Sequence, residues 1–377
     1  MTEDPRACPD CLRRAWLIGS LAGFIDKAVD NTGGSRAHEL LALPNGELAR
    51  AMARSRADEF LERAAERDPE SLRAVIAEAR AWAVCRHDSL YPDSFGALGD
   101  PPAVLFGRGD PELLGRFSEE AMVTIVGSRR ASSYGRELAT DLSRAVASAG
   151  LTVVSGMALG IDSRAHRGAL DAGGLTVAVL GCGVDVPYPP RHALLYEEIV
   201  KKGVVIAELP PGMTARRWSF PARNRIMAAL SRMTVVVEAR ERSGSLITAE
   251  MAQDLNREVG AVPGRVGSSP AAGTNALLRD GASVVRGVDD VLDSMLGVGA
   301  ARPRTTAARG PALESGPARV LDLVERGATT ADALAGASHL EPGPLAAALL
   351  QLELSGYLRS DSAGRYERTG LAAPGSA

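Results

Sequence analysis

Residues 122–135 read MVTIVGSRRASSYG. An unbroken apolar, β-branched run enters a glycine turn, and an amphipathic stretch opens directly behind it. The same phrase returns at TVVSGMALGID from 152, TVAVLGCGVD from 176, VVIAELPPG from 204, TVVVEARERSGS from 234 and VGAVPG from 259. The runs start at 123, 152, 176, 204, 234 and 259, spacings that fit a strand, a crossover helix and two short loops. Continuous rather than alternating apolar runs belong to strands covered on both faces. The pattern predicts an α/β fold with a Rossmann-like, doubly wound, mostly parallel sheet, within a domain of residues 89–297.

Outward from this centre the texture changes. Upstream, apolar residues recur at helical spacing, as in Leu12, Trp16, Leu17 and Leu21, and again in Phe60, Leu61, Ala64 and Ala65. Residues 1–88 are therefore expected to form a small, SAM-like helical domain. Downstream, residues 298–316 are poor in large apolar side chains and rich in Gly, Pro, Ala and Arg, the composition of a linker. Residues 317–370 predict three short helices and a β-wing around Gly364, a winged-helix domain.

The 377 residues leave room for several domains with cores of their own. With 45% hydrophobic, 24% charged and 4% aromatic residues, fibrous and disordered classes are excluded. The start, MTEDPRACPD, has acids where a secretory signal needs a basic and then an apolar segment. Four cysteines in so long a chain are no disulfide framework, so a cytoplasmic location and no membrane are expected. A net charge of −3 rules out bulk attraction to nucleic acid and directs attention to local patches.

Several strand ends could carry chemistry. Gly127, Ser128, Arg129 and Arg130 form a glycine turn ahead of a helix, where backbone N–H groups favour an anion. The turn lacks the lysine of a P-loop and the Gly-x-Gly-x-x-Gly of a dinucleotide site; its two arginines are planar phosphate donors instead. Gly156 and the turn Gly181 to Gly183 end two further strands at the same sheet edge, where ligands of open α/β sheets bind. Between Glu208 and Glu238 stand Arg216, Arg217, Arg223, Arg225 and Arg232 with no acid, a local charge of +5. Within that run, WSFPARNR (218–225) interleaves aromatics with arginines, a mixture suited to stacking bases and clamping a strand backbone, and Asn224 offers an amide to base edges. Ser243, Gly244 and Ser245 make a further strand-to-helix turn with small hydroxyls.

Metal and catalytic signals are thin. Asp162 and His166 are half of a helical metal pair, and Cys8 and Cys11 make a lone C-x-x-C; neither has further ligands at recognisable spacing, so no metal site is expected. Scattered histidines and the absence of a G-x-S-x-G elbow leave no catalytic residue, and no cofactor is called for.

Taken in order, IVGSRRASSYG, SGMALGIDSRAH, VLGCGVDVPYP, ELPPG, FPARNRIMAALS, VVEARERSGSLITAEMA, AVPG and GTNALLRDGA resemble the signature blocks of the DNA processing protein A (DprA/Smf) family, over about residues 90–290. The resemblance implies a non-enzymatic single-stranded DNA-binding protein of bacterial cytoplasm. Its expected work is protection of incoming strands in natural transformation or recombination and loading of the RecA recombinase, with homodimerisation through the Rossmann-like domain. Carried onto this chain, it places DNA contacts at Ser128, Arg129, Arg217, Phe220, Arg223 to Arg225 and the Ser243 to Ser245 turn. Two positions depart from the family pattern, Ala229 and Gly260, both outside the loops proposed to touch DNA.

Two rival readings are weighed against this one. A nucleotide phosphoribohydrolase of the lysine-decarboxylase-like Rossmann family would use a PGGxGT turn and a nearby glutamate, of which Ser243 to Thr248 with Glu250 is a distant echo. A transcription regulator would read duplex DNA through the winged helix. Yet residues 311–377 hold eight acids against five arginines, and the expected recognition helix has neither Arg nor Lys.

Overall fold

All six expected runs are strands, each within one residue of its anticipated bounds. The computed structural model describes residues 7–30, 39–298, 311–361, 364–369 and 371. Helices α1 (Pro9–Asp30), α2 (Glu39–Ala42), α3 (Asn45–Ala53), α4 (Ala57–Ala65) and α5 (Pro69–Glu78) lead into strands β1 (Trp82–Cys85), β2 (Val104–Gly109) and β3 (Met122–Val126). Strands and helices then alternate: α6 (Ser133–Ser148), β4 (Thr152–Ser155), α7 (Ile161–Asp171), β5 (Thr176–Leu180), α8 (Ala193–Lys202) and β6 (Val204–Ala207). The series closes with α9 (Ser219–Leu230), β7 (Met233–Val236), α10 (Gly244–Asp254), β8 (Glu258–Ala261), α11 (Ala272–Arg279), β9 (Ser283–Val284) and α12 (Val288–Leu296).

The strand order is β1-β2-β6-β5-β4-β3-β7-β8-β9. From β6 to β9 all pairs are parallel, whereas β2 runs antiparallel to β6 and β1 antiparallel to β2. Every residue of β3 and β5 is buried, which is why their sequences carry no polar alternation. The direction of winding switches at β3, between β4 and β7, and the carboxyl ends there open a crevice.

Three strands, β1, β2 and β9, escape the sequence pattern. Trp82 to Cys85 continues a helical apolar rhythm yet pairs with β2, and β2 itself contains Gly107 and Gly109. Gly107 is required because the Trp82 indole lies 2.1 Å from where a Cβ would stand.

The sheet therefore begins inside residues 1–88, and the expected boundary there is corrected. The N-terminal helices share a core with the sheet: Trp16 meets Phe106 edge to face at 5.6 Å. Trp218, just before α9, is buried among Leu17, Leu21 and Leu48 and donates its indole N–H to the Ala22 carbonyl at 3.1 Å. The described residues from 7 to 298 accordingly belong to one unit.

The second unit has its own core around Val320, Leu334, Leu345, Leu349, Leu352 and Tyr357. Its helices α13 (Ser315–Glu325), α14 (Ala331–Ser338) and α15 (Pro342–Leu354) precede the antiparallel strands β10 (Leu358–Ser360) and β11 (Tyr366–Arg368). Gly364 takes φ 72°, so the wing turns where glycine permits it. Most of the anticipated linker, residues 299–310, lies outside the described residues.

Candidate nucleic-acid interface

A crevice of about 670 Å³ lies at the carboxyl edge of the sheet, walled by the loops after β3 and β7 and by α9. The β3 loop is fixed by its backbone. Ser128 N–H donates to the Glu238 carbonyl at 2.7 Å, Arg130 N–H donates to Ser128 Oγ at 3.1 Å, and Ile161 N–H donates to the Ser128 carbonyl at 3.2 Å. Ser132 caps α6 by accepting from Gly135 N–H at 3.0 Å while its own N–H is held by the Glu238 carboxylate at 3.1 Å. At Gly127 a Cβ would fall 2.6 Å from Ile161 and 2.9 Å from the Glu238 carbonyl, so this glycine serves the close approach of loop and helix. With the loop pinned, Arg129 and Arg130 are left exposed at the crevice.

The opposite wall is the first turn of α9. Trp218 anchors it from below, Ser219 Oγ donates to the Gly181 carbonyl, and Pro221 sits in the first turn, where no helix hydrogen bond is lost. Phe220 is thereby held half-exposed, with the Arg129 guanidinium 5.2 Å from its ring centre and the Tyr188 ring 5.5 Å away at 42°. Arg217 is exposed beside it. Behind them α10 starts at Gly244 without a side-chain cap on its amides, and Ser243 Oγ and Ser245 Oγ lie 2.7 Å apart.

The structure thus brings Gly127, Ser128, Arg129, Arg130, Arg217, Phe220, Arg223, Asn224, Ser243, Gly244 and Ser245 to one crevice. Gly156 and Arg225 are not among its lining, and both are corrected. At Gly156 a Cβ would stand 2.2 Å from the Arg223 guanidinium, so the glycine makes room for that side chain. Arg225 is 1% exposed and points into the core, paired with Asp100 at 2.9 Å and Glu208 at 2.8 Å. Burial disfavours its charge, but Glu208 and Asp100 outweigh this and hold the guanidinium above its ordinary range.

Arg223 and Asn224 take structural roles at the crevice wall. Arg223 is buried and donates to the carbonyls of Gly156, at 2.6 Å, and Val179, tying the ends of β4 and β5. Asn224 accepts from Arg223 Nε at 3.1 Å and donates to the Gly244 carbonyl at 3.2 Å, which joins α9 to α10. An amide so committed is not held out as a reader of base edges.

Among the lining residues not singled out from the sequence are Tyr188, Arg240 and Arg242. The arginines follow the carboxyl end of β7, a position that by itself marks them as crevice-facing. Asp162 is the one acid among the described lining residues. Burial, only partly opposed by Arg223, raises its carboxyl above the usual range, and the five exposed arginines Arg129, Arg130, Arg217, Arg240 and Arg242 give the crevice a positive face.

Asp162 and His166, four apart on α7, are both buried. His166 Nδ1 meets Thr176 Oγ1 at 2.7 Å in full burial, which lowers the imidazole to about 3 and keeps it neutral. At the N-terminal C-x-x-C, the fold brings Cys85 and His87 to Cys8 and Cys11, a grouping that spacing along the chain does not display. No described helix is long and apolar enough to cross a membrane.

Comparison with known proteins follows the same lines. Residues 82–296 match the family model of the DNA recombination-mediator protein A, and residues 303–364 match that of the DprA winged helix domain. The chain is 42% identical over 261 residues to a Mycobacterium tuberculosis protein provisionally named DNA processing protein DprA, covering 68% of this chain and 67% of that one. The crystal structure of DprA from Streptococcus pneumoniae superposes with a TM-score of 0.59 at 33% identity, over 75% of this chain and 95% of the other. A Helicobacter pylori DprA, whose structure was described for its single-stranded DNA binding mode, gives 0.52 at 31% identity over 58% and 96%. The chain belongs to the DNA recombination-mediator protein A family, the DprA/Smf proteins.

Proposed function

We propose that this chain binds single-stranded DNA in the crevice at the carboxyl edge of its sheet. One observation carries the reading: Phe220 is held half-exposed between Arg129 and Tyr188, amid the exposed Arg130, Arg217, Arg240 and Arg242. An aromatic platform accepts any base by its π-face, and planar guanidinium groups clamp the phosphates on either side. Gly244 and Ser245, at the uncapped start of α10, supply backbone amides, and Ser128, Ser243 and Ser245 supply hydroxyls, to the same strand, with Gly127 keeping the β3 loop close to α7. The DNA-binding mode described for the Helicobacter pylori relative supports this reading.

The wider role we propose, which family membership supports, is protection of single strands, loading of RecA during transformation or recombination, homodimerisation through the Rossmann-like domain, and work in the cytoplasm without a catalytic step. The phosphoribohydrolase alternative is disfavoured because Glu250 does not line the crevice and five exposed arginines exceed what one nucleoside monophosphate requires. Gel-shift titration with single-stranded and duplex oligonucleotides, beside a nucleotide-hydrolysis assay on the same preparation, tests the proposal. Tighter binding of the single strand with no hydrolysis is expected; equal affinity for both forms, or turnover of a nucleotide, would count against it. Recombinase loading is a separate measurement, RecA-driven strand exchange on strands precoated with single-strand-binding protein, which this chain should accelerate.

A further inference from the structure

We infer that Cys8, Cys11, Cys85 and His87 form a structural zinc site that pins the N-terminal helix to the first strand of the sheet. Their ligand atoms all lie within 4.8 Å of one another. Cys8 immediately precedes α1 and Cys11 lies in its first turn, so a helix start supplies a C-x-x-C half-site. Cys85 ends β1 and His87 stands in the turn behind it, supplying a C-x-H half-site. The halves are separated by more than seventy residues of chain and meet only through the tertiary fold.

The distances from His87 to the three sulfurs match those around a tetrahedral ion. His87 Nδ1 lies 3.5 Å from Cys8 Sγ, 3.6 Å from Cys11 Sγ and 3.8 Å from Cys85 Sγ. Zinc bonded to sulfur at about 2.3 Å and to nitrogen at about 2.0 to 2.1 Å, with tetrahedral angles, sets each sulfur about 3.6 Å from the nitrogen. Hydrogen bonding does not account for the convergence, because an imidazole Nδ1 has one lone pair or one proton to share and three sulfurs crowd it. The cysteines are free thiols, not disulfides.

The surroundings suit the same ion. Cys8 N–H points at Cys85 Sγ, 3.4 Å away, a contact that steadies a thiolate ligand. Three thiolates around a divalent ion leave one net negative charge, and the adjoining cleft is lined by Arg14 and Arg86 together with Asp10 and Asp100. Cys11 and Cys85 are buried while His87 is exposed, so the ion has both a dry seat and a way in. Soft sulfur ligands select zinc over magnesium or calcium, and four protein ligands leave no open position for substrate; the role is a staple, not catalysis.

The test uses the full chain, made without a polyhistidine tag and never exposed to chelator. Elemental analysis should find about one zinc per chain, the stoichiometry of a single four-ligand site. Stripped under reductant and titrated with cobalt(II), the unaltered chain should give the intense visible bands of tetrahedral cobalt and thiolate charge-transfer absorption, both abolished by added zinc. Cys11→Ser and His87→Ala should each lose most of the zinc, whereas Cys182→Ser, at a buried cysteine elsewhere in the sheet domain, should keep it. The cobalt spectrum needs no variant and so stands even where a substituted chain misfolds. A zinc-free chain whose cobalt spectrum is that of octahedral, water-ligated ion overturns the inference. Zinc retained in both variants, or a Cys8–Cys11 disulfide in a chain that takes no metal, overturns it equally.

Discussion

Two parts of this chain have folds that proteins use on nucleic acid, and their charges are opposite. The crevice of the sheet collects five exposed arginines against one buried acid. The winged helix places none on α15, the helix that would enter a groove, and exposes Leu350 and Leu354 there instead. Three of the arginines in the C-terminal unit are already paired, Arg326 with Asp322, Arg359 with Glu367 and Arg368 with Glu325. Phosphate contact is the sequence-independent foundation of DNA affinity, and it needs cations that face solvent. A motif's usual partner is therefore a poor guide when its charges point elsewhere. An apolar, cation-free helix face suits a protein surface better than a duplex.

The same lesson holds at smaller scale on α9, where neighbouring arginines do different work, and the largest expected effect tests it. Arg225→Ala would leave Asp100 and Glu208 buried without their cation, a loss of about 3 to 5 kcal/mol in folding stability, read by urea denaturation. A variant as stable as the parent would mean that Arg225 is not the core anchor its burial indicates. Next in size, Phe220→Ala should cost roughly 1 to 3 kcal/mol of single-strand affinity and leave the salt dependence of binding almost unchanged, because a ring releases no counterion. Thermal melting must be followed alongside. A large drop in melting temperature would show that the half-exposed ring is a packing element first and a platform second.

The sheet was legible because burial on both faces writes itself as uninterrupted Val, Ile and Thr runs with a fixed return distance. The antiparallel extension was not. Trp82 to Cys85 continues the helical rhythm of the residues before it, and its neighbour β2 carries Gly107, which makes room for the Trp82 indole, and Gly109. In the crevice, the glycine turns and the arginine run announced a cationic edge, but not which way each side chain would point. Arg217 and Arg225 are indistinguishable in composition; the acids that claim Arg225, Asp100 and Glu208, lie far from it along the chain or across a loop. Tyr188 and the Cys85–His87 half-site share this limit, since each acquires its neighbours only when distant segments fold together.

A smaller effect separates clamps from platform within the crevice. Arg217→Ala and Arg242→Ala should each weaken binding to all sequences alike and reduce the slope of log affinity against log salt by about one unit. Arg129→Ala should show the same change in slope and, because its guanidinium also lies on Phe220, part of the stacking loss as well. If Arg242→Ala matches the parent at every salt concentration, the DNA path does not run past the β7 loop.

The smallest expected effect bears directly on the contrast between the two regions. A chain ending at residue 298 keeps the whole described sheet unit and removes a unit whose core is its own. Its single-strand affinity should stay within about tenfold of the parent, or about 1.4 kcal/mol. The reason is charge: residues 311–377 carry eight acids and five arginines, so they offer the phosphate backbone little that attracts. Repulsion between like charges is strongest at low ionic strength and is screened over about 10 Å at 0.1 M salt, so any gain on truncation should fade as salt rises. A loss beyond tenfold that itself shrinks with salt would require cations of the C-terminal unit to reach DNA. That result would move the winged helix from the protein-facing side of the comparison to the nucleic-acid-facing side.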